Sequence, residues 1–186
     1  MIAEYAPYRV TVNQFGTMAE AGVFAGDERV ELIEGVLVSY APPHGDLHAT
    51  AVWRLAEAVR GTLGNRAIYW SQLPVVLSEA TELEPDLALL RVFDGGYRTK
   101  PRAADVHAIV EVADSSLRAD RTLKSKLYAA ARVPEYWVID VRSRRIEIHR
   151  GPAGDRYDRL VVAGRCDAVS FAAFPDAVLS VSELLG

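Results

Sequence analysis

The stretch VHAIVEVADSSLRADRTLKSKLYAAARVPEYWVID, residues 106–140, decides the fold. Its first part, 106–112, has the β-branched richness of a strand. The next part, SSLRADRTLKSKLYAAAR (115–132), turns helical, with Ser115 or Ser116 as cap and Pro134 fixing the end. EYWVIDV (135–141) and RIEIHR (145–150) then form a hairpin. Strand, helix and strand in that order predict an α/β protein. In the first strand Val106, Ala108, Val110 and Val112 share one face, while His107, Ile109 and Glu111 share the other. A sheet covered by helices on both sides has no natural place for Glu111. Unpaired, it would cost several kcal/mol or take up a proton.

Upstream, EPDLALL (84–90) raises the same question. Asp86 opens an apolar run directly after Pro85, a residue suited to the first position of a strand. If the two strands are neighbours, Asp86 and Glu111 converge on one side of the sheet. Close carboxylates repel unless a proton or cation lies between them. A hard divalent ion such as Mg²⁺ suits an all-oxygen pair and keeps open positions for water and a phosphate.

A lysine beside such a pair would orient the attacking water or meet the charge on the phosphorus oxygens. Lys124 and Lys126 both lie on the 115–132 helix and flank an apolar stripe through Leu123, Leu127 and Ala130–Ala131. Helical spacing alone does not choose between them. Asp120, four residues before Lys124, can bridge to it. The ordinary alternative is that each carboxylate pairs with one of the 21 basic residues.

The remaining elements fit the same class. NQFGTMAEAG (13–22) reads as a short helix capped by Asn13 and stopped by Gly22. VELI and VLVSY (30–33, 36–40) form a hairpin around Glu34-Gly35. Residues 46–64 are the clearest helix, with Asp46 as cap, Leu47, Ala51, Leu55, Ala58 and Val59 at helical spacing, and Gly64 at the end. Strands are expected at 67–70, 73–77, 86–92 and 157–163, and a last short helix from Ser182.

The 186 residues suit one domain, 1–186, of ordinary globular composition, with half of them hydrophobic and a quarter charged. The single cysteine, Cys166, excludes an internal disulfide framework, points to the cytoplasm, and reads as a buried or semi-buried thiol. The start, MIAEYAPYRV, lacks the pattern of a secretion signal, and no apolar run approaches the ~20 residues of a membrane span. A net charge of −4 excludes a protein coated in basic surface, so any nucleic-acid contact must be local.

Residues 85–140, from PDLALL through ADVHAIVEVADSSLRADRTLKSKLYAAARVPEYWVID, resemble a large bacterial family of restriction-endonuclease-like proteins in the PD-(D/E)xK nuclease superfamily. VELIEG (30–35), His48 and the closing Phe and LSVSELL elements (171–185) are similar too, so the resemblance covers almost the whole chain. It implies a restriction-endonuclease-like core, a mixed sheet of four strands flanked by helices, to which this chain adds β-hairpins. It implies metal binding at Asp86 and Glu111, with Mg²⁺ the expected ion and Mn²⁺ a substitute. The superfamily's lysine, normally two residues after the Glu, is here Ala113. The family spacing moves it to Lys124, between Asp120 and Tyr128, which settles what geometry left open. Arg132 departs from the family's glycine before VPEYW, where a left-handed C-cap would stand.

The resemblance therefore implies a Mg²⁺-dependent endodeoxyribonuclease with Asp86, Glu111 and Lys124 as catalytic residues. Its partner is nucleic acid, DNA first, with no membrane association and pairing into a homodimer compatible. Another reading keeps the fold as a catalytically silent module that binds nucleic acid or protein. Glu31 in the first hairpin is a further site candidate against a solvent-facing carboxylate. His48 on the long helix is one against a packing residue. His44 lies in a loop that could reach substrate, whereas His107, His149, Tyr136 and Trp137 read as structural. Basic residues cluster at 97–102, 118–132 and 142–150, each an ordinary solvated patch or a phosphate grip.

Overall fold

The computed structural model describes residues 6–25, 28–40 and 45–186. His44 lies outside the described residues. Helix α1, Val12–Glu20, begins one residue earlier than expected. Its cap is Thr11, not Asn13, in a reciprocal box with Gln14. Strands β1 (Arg29–Ile33) and β2 (Val36–Tyr40) form the expected hairpin. Its two-residue turn places Glu34 at φ 48° and Gly35 at φ 78°.

Helix α2 spans Asp46–Leu63 and buries Ala51, Leu55, Val59 and Leu63. Gly45 occupies its cap position; Asp46 sits in the first turn, where it meets the positive end of the helix dipole, and Leu47 is exposed. Then come β3 (Ile68–Trp70), β4 (Val75–Ser78), β5 (Thr81–Leu83), β6 (Leu87–Leu90) and β7 (Val106–Ala113). The strand β5 was not expected. It is only three residues long and pairs with both β4 and β1, making a four-stranded antiparallel sheet in the order β2-β1-β5-β4.

After β7 the chain runs through α3 (Leu117–Ala119), a π-helical segment (Asp120–Lys124) and α4 (Ser125–Ala130). Strands β8 (Glu135–Asp140), β9 (Arg145–Ala153) and β10 (Arg156–Ala163) follow. The short pair β11 (Ala168–Val169) and β12 (Leu179–Ser180) and helix α5 (Val181–Leu185) close the chain. The main sheet has six strands, in the order β10-β9-β8-β7-β6-β3, and is wider than the four expected because β9 and β10 extend it. It is mixed: β7 and β8 are parallel, as a helical crossover requires, and its other neighbours are antiparallel.

One face of this sheet packs Leu87, Leu89, Ala108, Val110, Val112, Trp137 and Ile139 against α2 and α5. The other packs Ala88, Leu90, Ile109, Ala113, Tyr136 and Val138 under Tyr128 of α4 and beside Val75 and Leu83 of the smaller sheet. The expected alternation along β7 breaks at its start. The register with β6 shifts between Leu89 and Leu90, so Val106 joins the face of Ile109, and the His107 ring packs edge-on against Phe174, 5.1 Å between centroids. Tyr136 and Trp137 are fully buried, as expected, with Trp137 stacked on Phe171 at 4.1 Å. Cys166 is exposed rather than buried, because it lies in the loop between β10 and β11.

Candidate functional site

The antiparallel register that pairs Leu87 with Val110 sets Asp86, just before β6, opposite Glu111. Each stands two residues from a residue of the α4-facing side, Ala88 and Ile109, so the two carboxylates share one face of the sheet. The Asp86 side chain accepts the Val112 backbone N–H at 2.8 Å, which ties it to β7. Both carboxylates are buried.

Three further groups hold Asp86. His48 Nε2 lies 3.2 Å from its Oδ1, and Gln72 donates to the same oxygen at 3.4 Å. Ser71 donates to its backbone carbonyl at 2.8 Å. His48 Nδ1 is 2.9 Å from the Val112 carbonyl, which can only accept, so Nδ1 carries a hydrogen. Nε2, facing a carboxylate, favours a proton as well. The hydrogen bond to Asp86 accordingly raises His48 above the usual histidine range against the opposing effect of burial. Burial works to raise Asp86, but the His48 hydrogen bond and charge outweigh it and leave Asp86 below the usual carboxylate range. His48 is thus a polar partner of Asp86 and of β7 and not only a packing residue.

Glu111 has the opposite balance. Its Oε1 accepts from Lys124 Nζ at 2.9 Å and from the Tyr128 hydroxyl at 2.7 Å. Burial pushes the carboxyl up to about 8; the Lys124 ammonium opposes this, and the negative charges of Asp86, Asp120 and Glu31 add to it. Asp120, 1% exposed, is also raised, chiefly by burial. Its Oδ2 accepts from Ser116 at 2.6 Å, while its Oδ1 accepts no hydrogen bond among the described residues and lies 3.8 Å from Lys124 Nζ. Ser116 therefore spends its hydroxyl on Asp120 instead of on a helix cap. Glu31 is buried rather than solvent-facing; its Oε1 accepts the Glu84 N–H at 2.9 Å.

Asp120, Lys124 and Tyr128 stand four residues apart, the spacing that sets side chains on one helix face, and the first two bound the π-helical segment. Leu123, expected on the apolar stripe, is 43% exposed. Lys126 points outward and is exposed. The helix ends in a Schellman motif, Val133 N–H to Tyr128 carbonyl at 3.0 Å and Arg132 N–H to Ala129 carbonyl at 2.9 Å. Arg132 takes the left-handed φ of 61° that the motif asks for.

Sequence reasoning missed Gln72 and Ser71, which no motif marks, and the bond from Tyr128 to Glu111, which the four-residue spacing could have suggested. Part of each basic cluster pairs with carboxylates: Lys100 with Glu82 at 2.5 Å, Arg121 with Glu147, Arg142 with Asp114 at 2.7 Å and Arg150 with Glu135 at 2.9 Å. Among the described residues no three His, Cys, Asp or Glu side chains form a ready-made metal cage, and no helix is long and apolar enough to cross a membrane.

The fold is restriction-endonuclease-like. It is similar to that of a solved protein from Anabaena variabilis described as "a putative nuclease belonging to DUF820", with a TM-score of 0.72 and 16% identity over 95% of this chain and 97% of that chain. The model of the Uma2 family, described as "Putative restriction endonuclease", matches residues 12–182, and the chain belongs to that family. No curated protein matches the chain.

Proposed function

We propose that the protein is a Mg²⁺-dependent endonuclease, residues 1–186 acting as one unit in the cytoplasm, that hydrolyses phosphodiester bonds in DNA. The observation that carries this reading is the register pairing of two buried carboxylates on one sheet face, with a lysine on one of them.

The donor set fits the ion. Asp86 and Glu111 offer hard oxygen ligands, and a pair suits Mg²⁺, which keeps several waters and is held by one or two carboxylates plus substrate phosphate. The reading is supported by the Asp120 oxygen that accepts no hydrogen bond among the described residues and by the buried carboxyls of Asp86, Asp120 and Glu31 grouped around Glu111. Asp86 and Glu111 would hold Mg²⁺, which would supply Lewis acidity toward the phosphate and make water more acidic.

The chain's own residues do the rest. His48 and the Val112 N–H keep Asp86 ionised and aimed. Tyr128 fixes the Glu111 carboxyl, and Asp120 steadies Lys124 beside it. The Lys124 ammonium then orients water for in-line attack and stabilises charge gathering on the phosphoryl oxygens. Two copies of the chain would be needed to cut both strands of a duplex in one encounter.

The test is cleavage of plasmid and single-stranded DNA with Mg²⁺ or Mn²⁺. Wild type is expected to cut and Asp86→Ala to be inactive. No cleavage by wild type, or equal cleavage by Asp86→Ala, would overturn the proposal in favour of a silent binding module.

A further inference from the structure

Beside the carboxylate pair lies a cleft of about 420 Å³ between α2 and the loop after β3, lined by Arg29, His48, Val52, Trp53, Ser71 and Gln72 among others. Trp53 is 63% exposed, an unusual state for the largest apolar side chain. It stands on α2 beside Ala49 and Ala56, four and three residues away, set apart from the face that buries Ala51 and Leu55. Ala49 and Ala56, both small, line the cleft with it, as do His48 and Val52.

The opposite wall is held under strain. Gln72 adopts φ 51°, a left-handed conformation that costs a non-glycine residue about 1 kcal/mol. Its N–H is anchored on the Pro85 carbonyl at 3.0 Å, and its amide donates to Asp86. Ser71 is fixed to the Asp86 carbonyl. These bonds tie the cleft wall to Asp86. Strained residues held in this way cluster at ligand sites.

Resting on the nuclease reading above, we propose that this cleft is a subsite for one unpaired nucleobase next to the phosphodiester at Asp86 and Glu111, with Trp53 stacking on the base. An aromatic face serves any base, the Gln72 amide offers both donor and acceptor to a base edge, and Arg29 supplies a cation for the adjoining phosphate. A base inside a duplex is stacked on its neighbours and does not reach the indole. The protein therefore selects single strands, frayed ends or extruded nucleotides.

The experiment measures binding without cleavage. A short fluorescein-labelled thymidine strand is titrated with protein in EDTA, beside a fully abasic strand of the same length, thymidine monophosphate as competitor, and a blunt duplex. Trp53→Leu is expected to weaken binding of the single strand roughly 5- to 100-fold, to leave binding of the abasic strand unchanged, and to be rescued by Trp53→Phe. Displacement by the free nucleotide at concentrations similar to those of the strand would overturn the assignment to a strand subsite. Equal affinity of Trp53→Leu and wild type for the single strand overturns the proposal, as does a fall in oligomeric state on substitution with unchanged affinity, which makes Trp53 a subunit contact. Binding that depends on Trp53 without Mg²⁺-dependent cleavage upholds the subsite and overturns only the nuclease reading. Cleavage that ignores Trp53 does the reverse.

Discussion

Replacing Glu111 by glutamine should make the metal-free protein more stable, and increasingly so as the pH rises. The side chain keeps its shape, and its Oε1 still accepts from Lys124 and Tyr128. What disappears is an ionisation. Burial and three carboxylate neighbours push the Glu111 carboxyl from an ordinary 4.5 to about 8 in the folded protein. A carboxyl raised on folding contributes stability that is complete below 4.5 and lost as the pH rises through about 8. The full effect is about 5 kcal/mol, and water penetration and relaxation of the helix reduce it to about 2–4 kcal/mol. Urea denaturation in EDTA from about pH 5 to about pH 9 reads it directly. The difference between Glu111→Gln and wild type should grow across that range in favour of the variant. A difference independent of pH, or one that turns against the variant at high pH, refutes the reasoning.

Other outcomes follow from the same geometry. Lys124→Met should lower the cleavage rate at least ~100-fold with Mg²⁺ affinity little changed, whereas Lys126→Met should stay within about twofold, as single-turnover assays would show. His48→Ala removes the group that holds Asp86 below the usual carboxylate range, so the acid limb of the rate profile should move to higher pH. Arg132→Gly relieves a left-handed residue at the helix end and should stabilise the fold by about 1 kcal/mol in chemical denaturation.

The strand–helix–strand unit at 106–140 was legible because its apolar periods are long, and the Glu34-Gly35 hairpin because its turn chemistry is local. Strand β5 was not legible: three residues carry no period, and their partners β1 and β4 come from different parts of the chain. Of the site, Asp86 and Glu111 showed themselves as charges in greasy strands. The choice of Lys124 needed the family spacing, because helical spacing alone leaves it level with Lys126. Glu31, Gln72 and Ser71 owe their places to tertiary contacts with Glu84 and Asp86.

Calorimetric titration with Mn²⁺ at about pH 8 tests most directly whether Asp86 and Glu111 share a cation. One equivalent should bind wild type with release of a proton from Glu111, seen as a heat that depends on the buffer, and Glu111→Gln should bind at least ~10-fold more weakly without that release. Equal affinity of the two proteins for Mn²⁺ would contradict a metal held by this pair.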